Sequence, residues 1–251
     1  MIKKVILYFF IFVISLLVSL IMLMPANFLW ERVVSPQINI KKIGLDVEKV
    51  AGTVWDGKAL LRYQNISGIM AWEIEAANVL SLSLPIRLSL NSQIGEIKAH
   101  AKASLSKFEL GISSAEVELK PLTPSLRAQR VSLDGRLIVK DLAVVLEDQR
   151  VVSATGMASW SGGDIAYPAG REVHERTLPM FKALLQTKEK GNVHLGIRDA
   201  QATFDVIDAS LSESGEGLVK ITRRLLDLSN EPWSLNSREQ DVVFKVKKPL
   251  Y

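Results

Sequence analysis

The chain has 251 residues, of which 48% are hydrophobic and 23% charged, which excludes a disordered chain and provides for a sizeable core. Its formal net charge is only +4 with acids and bases interspersed, so it lacks the clustered basic face of a nucleic-acid binder, and no nucleic acid is expected as a partner. It has no cysteine, which removes disulfides, thiol catalysis and cysteine-held metals and suits an oxidising compartment.

In chain order, Lys3 and Lys4 come first and an uncharged run from Val5 to Met24 follows. At ~1.5 Å per helical residue this run spans ~30 Å, the thickness of a bilayer's hydrocarbon core. The two lysines place the N-terminus in the cytoplasm. Residues 1–24 therefore read as a cytoplasmic tip and a transmembrane anchor. The alternative is a cleaved signal peptide, whose apolar region would be about 7–15 residues with small residues at the cut. Pro25-Ala26-Asn27-Phe28-Leu29-Trp30 gives no such pattern, and Trp30 suits an interfacial aromatic. No second run of this length follows, so a single crossing is expected. Residues 25–42, interrupted by Pro25 and Pro36, read as a juxtamembrane segment.

From residue 43 onward period-two alternation dominates. In the segment 80–90, Leu80, Leu82, Leu84, Ile86, Leu88 and Leu90 alternate with Ser81, Ser83, Pro85, Arg87 and Ser89. A strand sends successive side chains to opposite faces, so one face is apolar and the other wet. Pro85 cannot donate to a ladder and predicts an edge or a bulge. Similar runs follow at Ile97–Leu105, Ala115–Leu119, Val131–Val139, Val193–Ile197, Ile207–Leu211 and Val242–Val246, with Gly, Asn, Asp and Pro between them. One-sided strands on short connections predict an antiparallel sheet, open or half-barrel like. Two stretches read as short helices. One runs from about Pro179 to Lys188, with basic residues in its last turn and Gly191 beyond; the other covers Arg223–Leu228.

A weak internal repeat is visible. Gly52-Thr-Val-Trp55-Asp-Gly57 is echoed by Gly156-Met-Ala-Ser-Trp160-Ser-Gly-Gly163, each after an alternating apolar run. The echo divides the domain 43–251 into two related units, about 43–140 and 141–251.

No constellation of catalytic residues stands out. His100 and His194 occupy the polar alternate of a strand and read as surface residues. His174-Glu175-Arg176-Thr177-Leu178 lacks the second histidine of a zinc-protease helix, and neither a nucleophile elbow nor a phosphate loop is present. The pairs Glu73/Glu75 and Glu116/Glu118 lie on wet strand faces. Catalytic, cofactor and metal residues are all expected to be absent, and no cofactor is expected. Trp55 and Trp160 read first as core packing beside glycine-opened turns, and second as contributors to a partner groove.

Four features resemble type II secretion system protein N. These are the order of parts, the Gly52–Gly57 motif, the segment from Gly156 to Ile165, and Thr222-Arg-Arg-Leu-Leu-Asp-Leu-Ser-Asn-Glu-Pro-Trp233. Ser229-Asn230 stands where the family often has Ala-Gly. The resemblance implies a non-enzymatic inner-membrane subunit of the machinery that moves folded exoproteins from periplasm to exterior, with its β domain in the periplasm. Its partners would be other inner-membrane or periplasmic secretion subunits. The family is more loosely similar to β-groove envelope proteins that handle lipid, so a lipid groove along the aliphatic strand faces is the alternative function. An outer-membrane barrel is disfavoured by 7% aromatics and by Lys245, Lys247 and Lys248 in the last strand. The residues expected to serve structure, partner or lipid contact are Gly52, Trp55, Gly57, Trp72, Leu84, Gly156, Trp160, Gly163, Arg223, Arg224 and Trp233.

Overall fold

A computed structural model describes residues 2–37, 44–75, 83–104, 106–148, 150–188, 191–233 and 236–249. The chain falls into two compact units, residues 1–92 and 93–251.

The first unit opens with α1 (Ile2–Met22), the one helix among the described residues long and apolar enough to cross a membrane. Short helical turns follow: α2 (Ala26–Leu29), a π turn (Trp30–Val34) and α3 (Ser35–Gln37). Then come β1 (Leu45–Gly52), β2 (Asp56–Tyr63), β3 (Ile66–Ile74) and β4 (Leu84–Ser92), an antiparallel meander. Cross-strand register lines Val50, Ala59, Met70 and Leu90 along one face. The opposite face carries charge, and there Arg87 on β4 reaches Glu73 and Glu75, each at 2.7 Å. The two acids on one wet face were expected, and Arg87, directly across from Glu73 on the neighbouring strand, holds both. Pro85 is the second residue of β4, one place outside the register with β3 that starts at Ile74–Ile86. A strand's first residues tolerate proline because no ladder bond is lost there. Leu80, Ser81 and Leu82 of the predicted strand lie outside the described residues.

The second unit contains β5 (Gly95–Ala103), β6 (Lys107–Glu118), α4 (Thr123–Leu126), β7 (Ser132–Leu133), β8 (Arg136–Glu147), β9 (Arg150–Trp160), β10 (Gly163–Ala169) and β11 (Glu172–Leu178). After them come β12 (Phe181–Thr187), β13 (Val193–Asp199), β14 (Ile207–Leu211), β15 (Glu216–Thr222), α5 (Arg223–Leu228) and β16 (Val242–Pro249). The large sheet of this unit runs β5-β6-β8-β9-β12-β13-β14-β15-β16, antiparallel throughout. Its terminal strands are not paired with each other. Between β9 and β12 the chain leaves that sheet for the hairpin β10–β11, which pairs with the earlier β7 in a small sheet β11-β10-β7, and returns. The return brings Leu178 and Phe181 together with the fully buried Val206; Trp160, Ile165, Leu225 and Leu228 pack around them. Mostly β, antiparallel and open, with short helices after α1, the architecture is the one the alternation predicted.

The helix expected over Pro179–Lys188 is a strand instead. β12 pairs with β13 over its whole length and with β9 from Phe181 to Leu185. Phe181, Ala183 and Leu185 alternate with Lys182, Leu184 and Gln186, so the period is two. Leu184 falls on the outer face and is 48% exposed, and Leu184-Leu185 mimics a helical stripe only because both strand faces carry a leucine there. Gly191 at φ +69° closes a hairpin rather than a helix, with the Lys188 N–H donated to the Asn192 carbonyl at 2.7 Å. The predicted helix over Arg223–Leu228 forms as α5. It ends with the Glu231 N–H on the Leu226 carbonyl and the Asn230 N–H on the Asp227 carbonyl, at 2.9 and 3.2 Å. That pattern wants a left-handed residue, and Asn230 adopts φ +50°, which asparagine tolerates better than most residues other than glycine.

Candidate functional site

The Gly52–Gly57 motif is the turn between β1 and β2, and it grips the end of α1. A helix leaves its last carbonyls without intrahelical partners. Two carbonyls at this end are met by the motif. The Trp55 indole N–H is donated to the Ile21 carbonyl at 3.0 Å, and the Val54 N–H to the Met24 carbonyl at 3.1 Å. Pro25 and Thr53 form an isolated antiparallel bridge beside them. Both glycines of the motif are sterically required. Gly52 has φ +95°, and a Cβ on it would lie 2.5 Å from the Asp56 carbonyl oxygen. A Cβ on Gly57 would press into the Trp72 ring and lie 2.8 Å from the Ala51 carbonyl oxygen. Trp72 closes the group by donating its indole N–H to the Val54 carbonyl at 3.0 Å. The structure thus gathers Gly52, Trp55, Gly57 and Trp72 into one clamp. Its helix-side partners, Ile21 and Met24, carry no signal in the sequence because only their backbone is used.

The second motif is built differently. Trp160 donates its indole N–H to the Asp134 carbonyl at 2.8 Å and stacks on Phe181, ring centroids 6.0 Å apart and 5° from parallel. Gly163 makes room for the Asp134–Gly135 backbone, 3.2 Å from where its Cβ would be. Gly156 gives the same room to Leu142, whose Cα would sit 2.8 Å from an added Cβ, at a bulge between Lys140 and Ala143 of β8. This group is core.

The third motif clips elements together. Arg224 donates to the Asp199 carboxylate at 2.9 Å and to Gln201 at 2.7 Å, with Glu239 3.4 Å away. The Asp199 side chain is 2% exposed. Val193, Leu195, Ile197 and Asp199 share one strand face, so an acid stands at an apolar position, and such a charge needs a buried partner. That misplaced acid is the sequence signal that could have found Arg224's partner. Arg223 reaches the Ser237 carbonyl and Asp227. Glu231, inside the same motif, accepts from the Tyr167 hydroxyl at 2.6 Å, from His174 Nδ1 at 2.7 Å and from Arg176 at 3.3 Å. The Tyr167 hydrogen bond, then the His174 one, holds the Glu231 carboxyl below its usual range. Burial first, and the Glu231 hydrogen bond second, pushes the Tyr167 hydroxyl up. All these polar groups are engaged in holding the small sheet and α5 in place. Trp233 stands apart, 42% exposed, its ring 5.5 Å from that of Phe244 on β16. Leu84 also stands apart, on the apolar face of its unit and 39% exposed.

A concavity of about 520 Å³ lies on the other face of the second unit's sheet, between Lys140, Met157, Leu184, His194 and Asp205. His194 is on the polar strand face, as its alternation predicts, but it is not a surface residue, because its side chain is only 12% exposed and bonds Asp208 at 3.1 Å. His194, Asp205 and Asp208 lie close enough to share an ion. Arg198 already binds Asp205 at 2.6 Å and Lys220 stands 3.9 Å from Asp208, so the acids have their counter-charges.

The hydrophobic residues buried among the described ones are few and mostly small, Ala59, Ala101, Ala115, Ala154 and Ala166 among them. Larger ones on the apolar alternate stay open, including Phe108 at 40% and Leu110 at 38%. The family model of type II secretion system (T2SS), protein N, matches residues 44–232, which spans both Trp-Gly motifs and all but the last residue of the third. No curated protein and no solved structure matches the chain.

Proposed function

The chain belongs to the type II secretion system protein N family and is a component of that secretion machinery, and from this premise we propose that it is a non-enzymatic, single-pass inner-membrane subunit. Its β domain stands in the periplasm and docks there with other secretion subunits during transport of folded exoproteins. The observation that carries this reading is the clamp. Trp55 and Val54 bind the carbonyls at the end of α1, so the first sheet is tied to the membrane helix by hydrogen bonds and not by a slack linker. A tied sheet presents its surfaces at a fixed height, which suits a scaffold. The polar clusters around Asp199 and Glu231 support the non-enzymatic reading, since each is consumed by bonds that hold elements together. Lys3 and Lys4 support a cytoplasmic N-terminus.

A second reading is favoured by one observation. The apolar strand faces are only partly covered, as the exposure of Leu84, Phe108 and Leu110 shows. Open aliphatic faces of this kind mark partner or lipid contact. In-cell photo-crosslinking separates the two. A crosslinker at Arg87 reports the wet face and one at Leu84 the apolar face. Adducts with secretion subunits at Arg87 and none with lipid at Leu84 support docking. Phospholipid adducts at Leu84, with no protein adduct at either site, replace it with a lipid groove.

A further inference from the structure

We propose that β16 is an acceptor edge for an extended segment of a secretion partner that alternates acidic and apolar side chains. This deepens the docking reading and rests on it. β16 pairs with β15 from Glu216–Pro249 to Thr222–Val242, and among the described residues no strand lies on its other side. In an antiparallel strand every second residue turns its N–H and C=O away from its neighbour, so the regular stretch Phe244–Lys248 offers a hydrogen-bonding ladder. Phe244 and Val246, followed by Lys248, lie on one face; the two apolar residues are 47% and 59% exposed, and the Trp233 ring stands beside that of Phe244. Lys245 and Lys247 lie on the other side.

Charge selects the occupant. Lys245 sits directly across from Lys220, and Lys247 takes Glu216 at 2.6 Å. Lys220 has only Asp208, at 3.9 Å. Lysines therefore exceed acids on this face. A second copy of β16 laid along the edge would set lysine against lysine, which is destabilising. An acidic strand meets the same lysines with opposite charge, while its apolar alternates continue the Phe244–Val246 surface. Lysines, a proline and a bulge all serve to keep an edge from aggregating, and β16 has an irregularity at Val243 and ends on Pro249; between them, from Phe244 to Lys248, its register with β15 is unbroken and its apolar side chains stay exposed.

The test uses the full chain in lipid nanodiscs and two synthetic octapeptides, one alternating Val and Glu, the other Val and Lys. Hydrogen exchange read by mass spectrometry over residues 242–249 is expected to slow about tenfold with the Glu peptide and not with the Lys peptide. The double variant Lys245→Glu/Lys247→Glu, two exposed changes, is expected to reverse that preference. Equal slowing by both peptides, or by neither, overturns the proposal. In cells, a photo-crosslinker at Lys245 should yield an adduct that maps to an acidic, alternating stretch of a secretion subunit. Adducts from Arg87 with none from Lys245 sink the edge proposal and leave the docking reading standing. No protein adduct from either position removes both.

Discussion

Two short motifs share a spelling, a glycine, a tryptophan and a glycine turn, yet the two tryptophans do different work. Trp55 spends its indole N–H on a helix carbonyl, Ile21, at the end of α1. Trp160 spends its own on a loop carbonyl, Asp134, and lays its ring flat on Phe181 inside the core of the second unit. The difference lies in what each turn faces. The first turn meets a helix end whose Ile21 carbonyl otherwise has only the 3.3 Å bond from the Met24 N–H, so the indole acts as a cap. The second has a returning strand beside it, so the ring acts as filling. A shared spelling therefore does not fix a shared backbone: Gly52–Gly57 is the turn between β1 and β2, whereas Gly156–Trp160 lies within β9, and the neighbour decides what each tryptophan does.

Deleting each ring separates cap from filling. Trp160→Ala should destabilise the second unit by about 3–5 kcal/mol, because a large ring leaves a cavity in the Leu178–Phe181–Val206 core. Thermal unfolding followed by circular dichroism checks it, and a loss under ~1 kcal/mol would place Trp160 outside the core. Asp199→Ala should cost slightly less, about 3 kcal/mol, by leaving the Arg224 guanidinium without its buried partner. Gln201 and Glu239 soften that loss, and the double change Asp199→Ala/Arg224→Leu should recover part of it.

Trp55→Phe should cost only about 1 kcal/mol, the net worth of one hydrogen bond, and the loss should stay local. Amide exchange at residues 53–57 would rise while that of β12 and β13 stays unchanged. Faster exchange in both places would mean that the clamp and the core unfold together.

The sequence exposes the strands because an alternating face is a local property, and the strand runs at 97–103 and 207–211 needed no knowledge of neighbours. It misleads at β12, where Leu184 and Leu185 put apolar side chains on both faces and blurred the period. The clamp was half legible. Trp55 and its glycines announce a turn, but the Ile21 and Met24 carbonyls they bind belong to the backbone and are invisible in any side-chain pattern. Arg224 was legible as a motif residue, and its role was not, because Asp199 is 25 residues away and only topology brings them together.

The smallest effect tests the Glu231 node, which lies in the third motif and has no counterpart near Trp55. Glu231 is held below its ordinary value near 4.5, chiefly by the Tyr167 hydroxyl and then by His174. A carboxyl with a lowered native pKa binds fewer protons folded than unfolded at intermediate pH. Its contribution to stability is therefore fully present above about pH 4.5 and is lost as the pH falls through the lower native value. Other carboxylates titrate in the same range, so the informative quantity is a difference between proteins. The unfolding midpoint of the native chain should fall more steeply below pH 4.5 than that of Glu231→Gln. Tyr167→Phe should lie between them, since it removes the largest cause of the shift and keeps His174 and Arg176. If the native chain and Glu231→Gln give parallel curves, the Tyr167–Glu231 bond is absent in solution, and the small sheet is held by its apolar contacts alone.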